Sequence, residues 1–293
     1  GGEIGYLCSI AKPHIALINN VQLAHIEGFG SIEGVAAAKG EIYSGLQASG
    51  TAVLNLDESW IDQWRDLIAE RPSISFSTNN PDADLSAADI QVMENGCCRF
   101  SLKTALGTEV VTLNIPGRHS VSNALAAASC AIAAGANLEQ IVSGLELAVS
   151  PDRRLQIKDL HSGAVVIDDS YNASPSSMRA AIDVLAASAG RKVLVLGDMA
   201  ELGADKQELH RQVGVYARAA GVDQLYTLGR LSALASEAFS GGEHFEDIEL
   251  LKEALCREAL VENGVRSDLT LLVKGSRSSQ MDLVVDMLLA EKS

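Results

Sequence analysis

The sequence is short of cysteine, aromatic residues, positive charge and long apolar runs, and each shortage removes a class of protein. Five cysteines in 293 residues, Cys8, Cys97, Cys98, Cys130 and Cys256, form an odd, scattered set without a CxxC spacing. Neither a disulfide framework nor a thiolate zinc site is expected from them, and a reducing compartment fits best. No apolar stretch reaches the roughly 18 residues of a membrane span, and no basic-then-apolar leader opens the chain, so membrane insertion and secretion are not expected. The opening GGEIGYLCSI lacks an initiator Met and reads as the start of a fragment. Only 23 Lys and Arg stand against 38 Asp and Glu, a net charge of −15 that repels nucleic acid and anionic lipid alike. Aromatics make up 4 % and hydrophobic residues 47 %, so the interior must be built from Ala, Leu, Val and Ile, as in a globular enzyme rather than a disordered chain.

What is present reads as α/β throughout, in about two domains at roughly 150 residues each. KPHIALINN is a short buried strand delivering two Asn at its end, GSIEGVAAAKGEIYSGL a helix that Ser31 can cap, and TAVLNLD a second strand. Between about Ala88 and Ile115 the pattern alternates, with turns at Asn95-Gly96 and Leu106-Gly107, which predicts an antiparallel meander on one flank. The helix SNALAAASCAIAAG, with very small side chains, and a second helix, LEQIVSGLEL, follow. Ser150-Pro151-Asp152 reads as a linker, dividing the chain into 1–150 and 151–293. Beyond it strands and helices alternate regularly, the rhythm of a mostly parallel sheet covered on both faces.

Functional groups in such a sheet belong beyond the carboxyl ends of its strands. VVIDDSYNASPSSM places Asp168, Asp169, Tyr171 and Asn172 there; a buried Asp is costly unless paired or bound to a cation, and the competing reading is that one Asp caps the helix after Pro175. VLVLGDMAELG matches neither the dinucleotide fingerprint nor a P-loop, and reads as a tight turn with an acidic rim. LLVKGSRSSQM presents Lys274, Ser276 and Arg277 past a very apolar strand, able to reach a carboxylate or phosphate, or simply to balance nearby acids. In the first domain His25 is a ligand or metal contact or a satisfied structural histidine. Lys39 sits among alanines, where burial depresses its pKa or demands a partner. Arg118, His119 and Asn123 stand at a loop-to-helix junction, where Asn123 suits a purine edge or a cap. The other histidines, His14, His161, His210 and His244, carry less signal.

Taken in order, LINNVQLAHIEGFGSIEGVAAAKGEIYSGL, IPGRHSVSNALAAA, VIDDSYNASPSSM, VLGDMAELG and VKGSRSSQM resemble the bacterial Mur ligases, over nearly the whole chain. The resemblance implies that 1–150 is the remainder of a P-loop-type central ATP-binding domain with an antiparallel flank, lacking the phosphate loop. It implies that 151–293 is the Rossmann-like C-terminal domain. ATP and Mg2+ are the implied cofactors. GDMAELG and VKGSRS favour the branch that adds D-alanyl-D-alanine to a UDP-N-acetylmuramoyl-tripeptide through an acyl phosphate, in peptidoglycan precursor synthesis. By resemblance His25 helps hold magnesium and Lys39 is the lysine carbamylated by carbon dioxide. Arg154 reaches the nucleotide phosphates, so that Lys39, His25 and Arg154 form the catalytic group. Asn123, His119, Arg154 and Asp169 fall on the nucleotide side, and Lys274, Ser276, Arg277 and Asn172 on the amino-acid-substrate side. Departures from the family pattern are Ser120 for Asn, Ser174 for the second Asn of YNANP, and SPDRR for VPGR, which leaves Arg153 a rival to Arg154. A cytoplasmic monomer is implied, inactive without the missing part. The rivals are another Mur or folylpolyglutamate-type ligase, and a non-catalytic nucleotide- or partner-binding module.

Overall fold

The computed structural model describes residues 1–22, 26–160, 163–261, 264–265 and 267–290. It divides into two compact units, the first Gly1–Met93 with Cys97–Val149, the second Ser150–Ser293 with Glu94–Gly96.

The first unit runs α1 (Glu3–Ala11), β1 (Ile15–Ile18), the single turn α2 (Ile26–Phe29), α3 (Ile32–Ser44), β2 (Thr51–Asn55), α4 (Ile61–Ile68), β3 (Ser73–Ser77), β4 (Leu85–Val92), β5 (Cys97–Thr104), β6 (Gly107–Pro116), α5 (His119–Ala133) and α6 (Leu138–Leu147). Its six strands form one sheet in sequence order, β1 to β4 parallel and β4 to β6 antiparallel. The expected meander is therefore continuous with the parallel strands through β4. Successive residues of β2 serve opposite faces, as a pleated strand requires. Val53 joins Phe76, Phe100, Leu113 and Leu125 beneath α5 and α6, while Ala52 and Leu54 join Val35, Tyr43 and Trp64 on the other side. The many small residues of α5, including the buried Ala124, Ala126, Ala128 and Ser129, let it lie close on the sheet. On α3, the Ser31 hydroxyl accepts the Gly34 N–H as the sequence suggests.

The second unit runs β7 (Gln156–Asp159), β8 (Val165–Asp169), α7 (Pro175–Ala187), β9 (Arg191–Gly197), α8 (Lys206–Ala219), β10 (Gln224–Leu228), α9 (Ala233–Phe239), β11 (Glu243–Phe245), α10 (Ile248–Ala259), a ribbon of β12 (Leu260–Val261) and β13 (Gly264–Val265), β14 (Leu269–Lys274) and α11 (Asp282–Ala290). The sheet order is β11-β10-β9-β14-β8-β7, parallel except for the edge strand β7. Leu194, Leu196 and Leu272 pack toward α7 and α8, and Val193, Val195, Leu271 and Val273 toward the opposite face, so both sides are covered. The last long strand, β14, returns between β8 and β9. Strand order reverses there, and such a reversal opens a crevice at the carboxyl ends of the strands.

Helix α7 begins at a capping box: Ser174 accepts the Ser177 N–H and the Ser177 hydroxyl reaches back to the Ser174 N–H, with Pro175 in the first turn. Neither Asp168 nor Asp169 caps it, which removes the competing reading of that pair. Ser174→Ala is expected to destabilise the chain by about 1 kcal/mol in urea unfolding, and an unchanged midpoint would contradict the cap. Among the described residues no helix is long and apolar enough to cross a membrane.

Candidate functional site

In the second unit the parallel register sets Lys274, the last residue of β14, opposite Asp169, the last of β8. Lys274 is 2 % exposed and Asp169 7 %. The Lys274 Nζ donates to Asp169 Oδ2 at 2.5 Å and to the Asn172 carbonyl at 2.9 Å. A buried ammonium persists only with partners of this kind. Burial lowers the Lys274 pKa, the Asp169 carboxylate works against that shift, and the positive charge of Arg154 adds to it.

Asp169 has a second task. Its Oδ1 accepts the Leu155 N–H at 3.2 Å, anchoring the turn that carries Arg154. In that turn Arg153 (φ +59°) and Leu155 (φ +49°) both adopt the left-handed conformation without being glycine. Such a backbone costs energy and is held by its surroundings. Here the Arg153 N–H donates to Gln156 Oε1 at 3.1 Å, and the Arg153 carbonyl accepts the Tyr171 N–H at 3.1 Å. The two arginines separate in role: Arg153 pairs with Asp282 at 2.5 Å, whereas the exposed Arg154 guanidinium lies 4.4 Å from the centroid of the Tyr171 ring.

Asp168, next along β8, is satisfied internally by Lys158 at 2.6 Å and by the N–H and hydroxyl of Ser170 at 3.1 and 2.6 Å. The structure thus brings Asp169, Lys274, Arg154 and the Asn172 backbone together. Ser276 is buried in the following loop, its hydroxyl 3.1 and 3.2 Å from those of Ser278 and Ser279. Arg277 is largely exposed, 3.6 Å from Asp282.

In the first unit a second polar group gathers at the ends of β1 and β2. Lys39, half-buried on α3, donates from Nζ to the Asn20 carbonyl at 2.7 Å. Glu58 accepts the Val21 N–H at 3.0 Å. Burial lowers the Lys39 pKa, with Glu58 opposing, and raises that of Glu58, with the Val21 N–H and Lys39 opposing. Asn55 donates to the Asn19 carbonyl at 2.8 Å, and the Asn19 amide donates to Asn123 Oδ1 at 2.7 Å, tying α5 to the end of β1. Asn19 Oδ1 is buried without a hydrogen-bond partner among the described residues. His119 is exposed as the first residue of α5. His25 lies outside the described residues. Asp57 is occupied by the Ser77 hydroxyl and by the N–H and hydroxyl of Thr78. Among the described residues no three His, Cys, Asp or Glu side chains gather into a metal cage. A groove of about 530 Å³ lined by Glu109, Leu138, Val142 and Glu146 contains none of the residues picked from the sequence.

Asn19, the ring of Tyr171 and His210 contribute more than the sequence indicates, which places the first two only as polar residues after a strand and gives His210 little signal. His210, on α8, is fully buried; its Nε2 accepts the Met199 N–H at 2.9 Å and its Nδ1 donates to the Lys206 carbonyl at 2.6 Å, so the ring is neutral. Burial holds its pKa below the ordinary histidine range, with the Lys206 bond and Asp198 opposing. The unfolded chain therefore takes up the proton first, near pH 6.5. The contribution of His210 to stability is complete above that pH and is lost as pH falls through the lower folded value. Urea midpoints measured from pH 7.5 down to 5 should show this fall, and His210→Gln should flatten it; an equally steep fall in the variant would contradict the buried neutral ring.

Comparison with known proteins matches two family models to successive parts of the chain. The profile described as Mur ligase middle domain matches residues 2–131, and that described as Mur ligase, glutamate ligase domain matches 153–277. The UDP-N-acetylmuramoyl-tripeptide--D-alanyl-D-alanine ligase of Escherichia coli K12 is 44 % identical over 97 % of this chain and 62 % of its own length. The Haemophilus influenzae ligase of the same name is 38 % identical over 97 % of this chain and 61 % of its own. A crystal structure of MurF from Acinetobacter baumannii superposes with a TM-score of 0.91 at 32 % identity, covering 99 % of this chain and 62 % of that one. The chain thus spans somewhat over three fifths of the length of these relatives.

Proposed function

Because the chain belongs to the Mur ligase family and carries its middle and C-terminal domains, we propose that it forms part of an ATP-dependent ligase joining D-alanyl-D-alanine to a UDP-N-acetylmuramoyl-tripeptide. The reaction transfers the γ-phosphoryl group of ATP to the terminal carboxylate of the tripeptide, giving an acyl phosphate and ADP. The dipeptide amine then attacks the acyl carbon, the amide forms and phosphate leaves. Residues 1–150 are assigned to the nucleotide side and 151–293 to the amine side, with Arg154 and Asp169 of the second unit assigned to the nucleotide phosphates and ribose.

The observation that carries the second assignment is the buried Lys274–Asp169 pair at the strand-order reversal. It gives a rigid, charged floor to the place where a parallel sheet binds small molecules. Arg154, stacked on Tyr171 and aimed by a strained turn, supplies a planar set of donors suited to phosphate or carboxylate oxygens. Asn172, Ser276 and Arg277 complete the amine side of this reading. In the first unit, Asn123 and His119 are assigned to the nucleotide, with Asn19 fixing the Asn123 amide. Magnesium, when bound with the nucleotide, neutralises phosphate charge. His25 is its proposed holder, and the described residues offer no three-residue cage for it. Lys39 is proposed as a carbamate, formed when its neutral amine attacks carbon dioxide and releases a proton. Cytoplasmic residence belongs to the same proposal, consistent with five cysteines that form no disulfide.

The test is an assay of the complete ligase with ATP and the tripeptide nucleotide, the acceptor being either D-alanyl-D-alanine or single amino acids. Stoichiometric phosphate and amide product with the dipeptide alone is expected. Product with a single amino acid and none with the dipeptide would overturn the choice of substrate.

A further inference from the structure

Three loops follow strands β9, β10 and β14 of the second unit, and one residue of the first bonds to the other two. Asp198 comes directly after β9. Its Oδ1 accepts the N–H groups of Leu231 and Ser232 at 3.0 and 2.7 Å, in the loop after β10. Its carbonyl accepts the Ser276 N–H at 2.9 Å and the Ser279 hydroxyl at 3.0 Å, in the loop after β14. The next residue, Met199, donates its N–H to the buried His210.

The loops meet at contact distance. A Cβ on Gly229 (φ +113°) would lie 2.7 Å from the Asp198 carboxylate, one on Gly275 3.1 Å from the Gly197 Cα, and one on Gly197 2.7 Å from the Ser279 Cβ. There is no slack between these loops to absorb a displacement of any one of them.

The geometry points to Asp198 as a positioning residue that sets the register of the Gly275–Arg277 segment against the end of β14, with His210 holding the Asp198 loop in place. Asp198 touches no substrate in this role. It acts through Ser276, whose N–H it fixes, and so through the segment assigned above to the amine side. The inference rests on that assignment and deepens it: recognition of the amine substrate depends on a carboxylate one loop away, while nucleotide binding does not.

Two measurements on Asp198→Ala, Asp198→Asn and the parent test this. The first is amide hydrogen exchange on the chain itself. In Asp198→Ala the Leu231 and Ser232 amides lose their acceptor and exchange at least about tenfold faster, the scale of one to two hydrogen bonds. The Ser276 amide should accelerate with them, although its own acceptor is a backbone carbonyl that the substitution leaves in place, while Leu272 within β14 stays protected. Unchanged Ser276 protection would overturn the inference.

The second is steady-state kinetics in the complete ligase. Asp198→Ala should raise KM for D-alanyl-D-alanine about tenfold with KM for ATP within twofold, and Asp198→Asn, which keeps a side-chain acceptor, should restore most of the loss. Equal changes in both KM values, or no recovery with Asn, would reduce Asp198 to a general structural residue. A parent enzyme that makes no amide product at all would sink the ligase reading instead, and the exchange result would still decide whether Asp198 couples the loops.

Discussion

Lys39→Ala in the complete ligase should lower turnover about a hundredfold or more, the scale of losing one charged group aimed at a reacting centre, and added small carboxylates should restore part of it. The expectation starts from the surroundings of the side chain. Lys39 is half-buried on α3, held by the Asn20 carbonyl, and burial lowers its pKa. A lowered pKa enlarges the neutral fraction of the amine, and only the neutral amine adds to carbon dioxide. The product replaces a cation by an anion at the end of a parallel strand, where phosphate chemistry calls for a fixed charge of known position. Acetate or formate can fill the space left by Ala and supply that charge without the tether. Turnover that survives the substitution, or a loss that carboxylates leave unchanged, would contradict the carbamate.

The largest stability effect is expected at Asp169. Removing one partner of a buried ion pair leaves the other charged and desolvated, at a cost of about 3–5 kcal/mol, so Asp169→Ala should shift urea unfolding by that amount. Lys274 would lose its principal acceptor, and the Leu155 N–H would lose its own. The double variant Asp169→Ala with Lys274→Met should regain most of the stability, because no uncompensated charge remains. Ligase activity should stay lost in the double variant. That contrast separates holding the fold from forming the site: a double variant as unstable as the single one would mean that the pair is not the source of the cost, and an active double variant would remove it from the site.

Legibility in the sequence followed residue density. Strands such as VVIDD and KVLVLGD are buried on both faces and bounded by turn residues, so both pattern and length announce them. Edge and polar elements did not announce themselves. β7, on the edge, alternates half-buried with exposed residues over only four positions, and β3, although flanked by β2 and β4, interleaves serine with two apolar residues, so each is too polar to stand out from a loop. α4 does carry its signal, with Ile61, Trp64 and Ile68 at helical spacing, but in only eight residues.

The site divided in the same way. Asp169 and Lys274 could each be placed at the end of a strand, but their pairing across 105 residues depends on β14 entering between β8 and β9, which is a property of topology rather than of either motif. His210 sits on the same helix face as Val213 and Ala217, so its spacing describes a core histidine and says nothing of the loop it grips. Asn19 was visible as half of a polar pair after a strand, but its bond to Asn123 joins residues 104 apart.

The left-handed pair at Arg153 and Leu155 bears on any effort to make this protein heat-resistant. Glycine at Leu155 would empty a buried place in the core at about 2–5 kcal/mol, whereas at Arg153 it would relieve on the order of 1 kcal/mol of local strain and give up only a partly exposed ion pair with Asp282, so a screen scored on melting temperature alone has a reason to collect it there. The same exchange would widen the arc through which the neighbouring guanidinium swings. Variants chosen for toughness at this bend should therefore be sluggish catalysts, and a library meant to yield both properties should leave these two positions as they are.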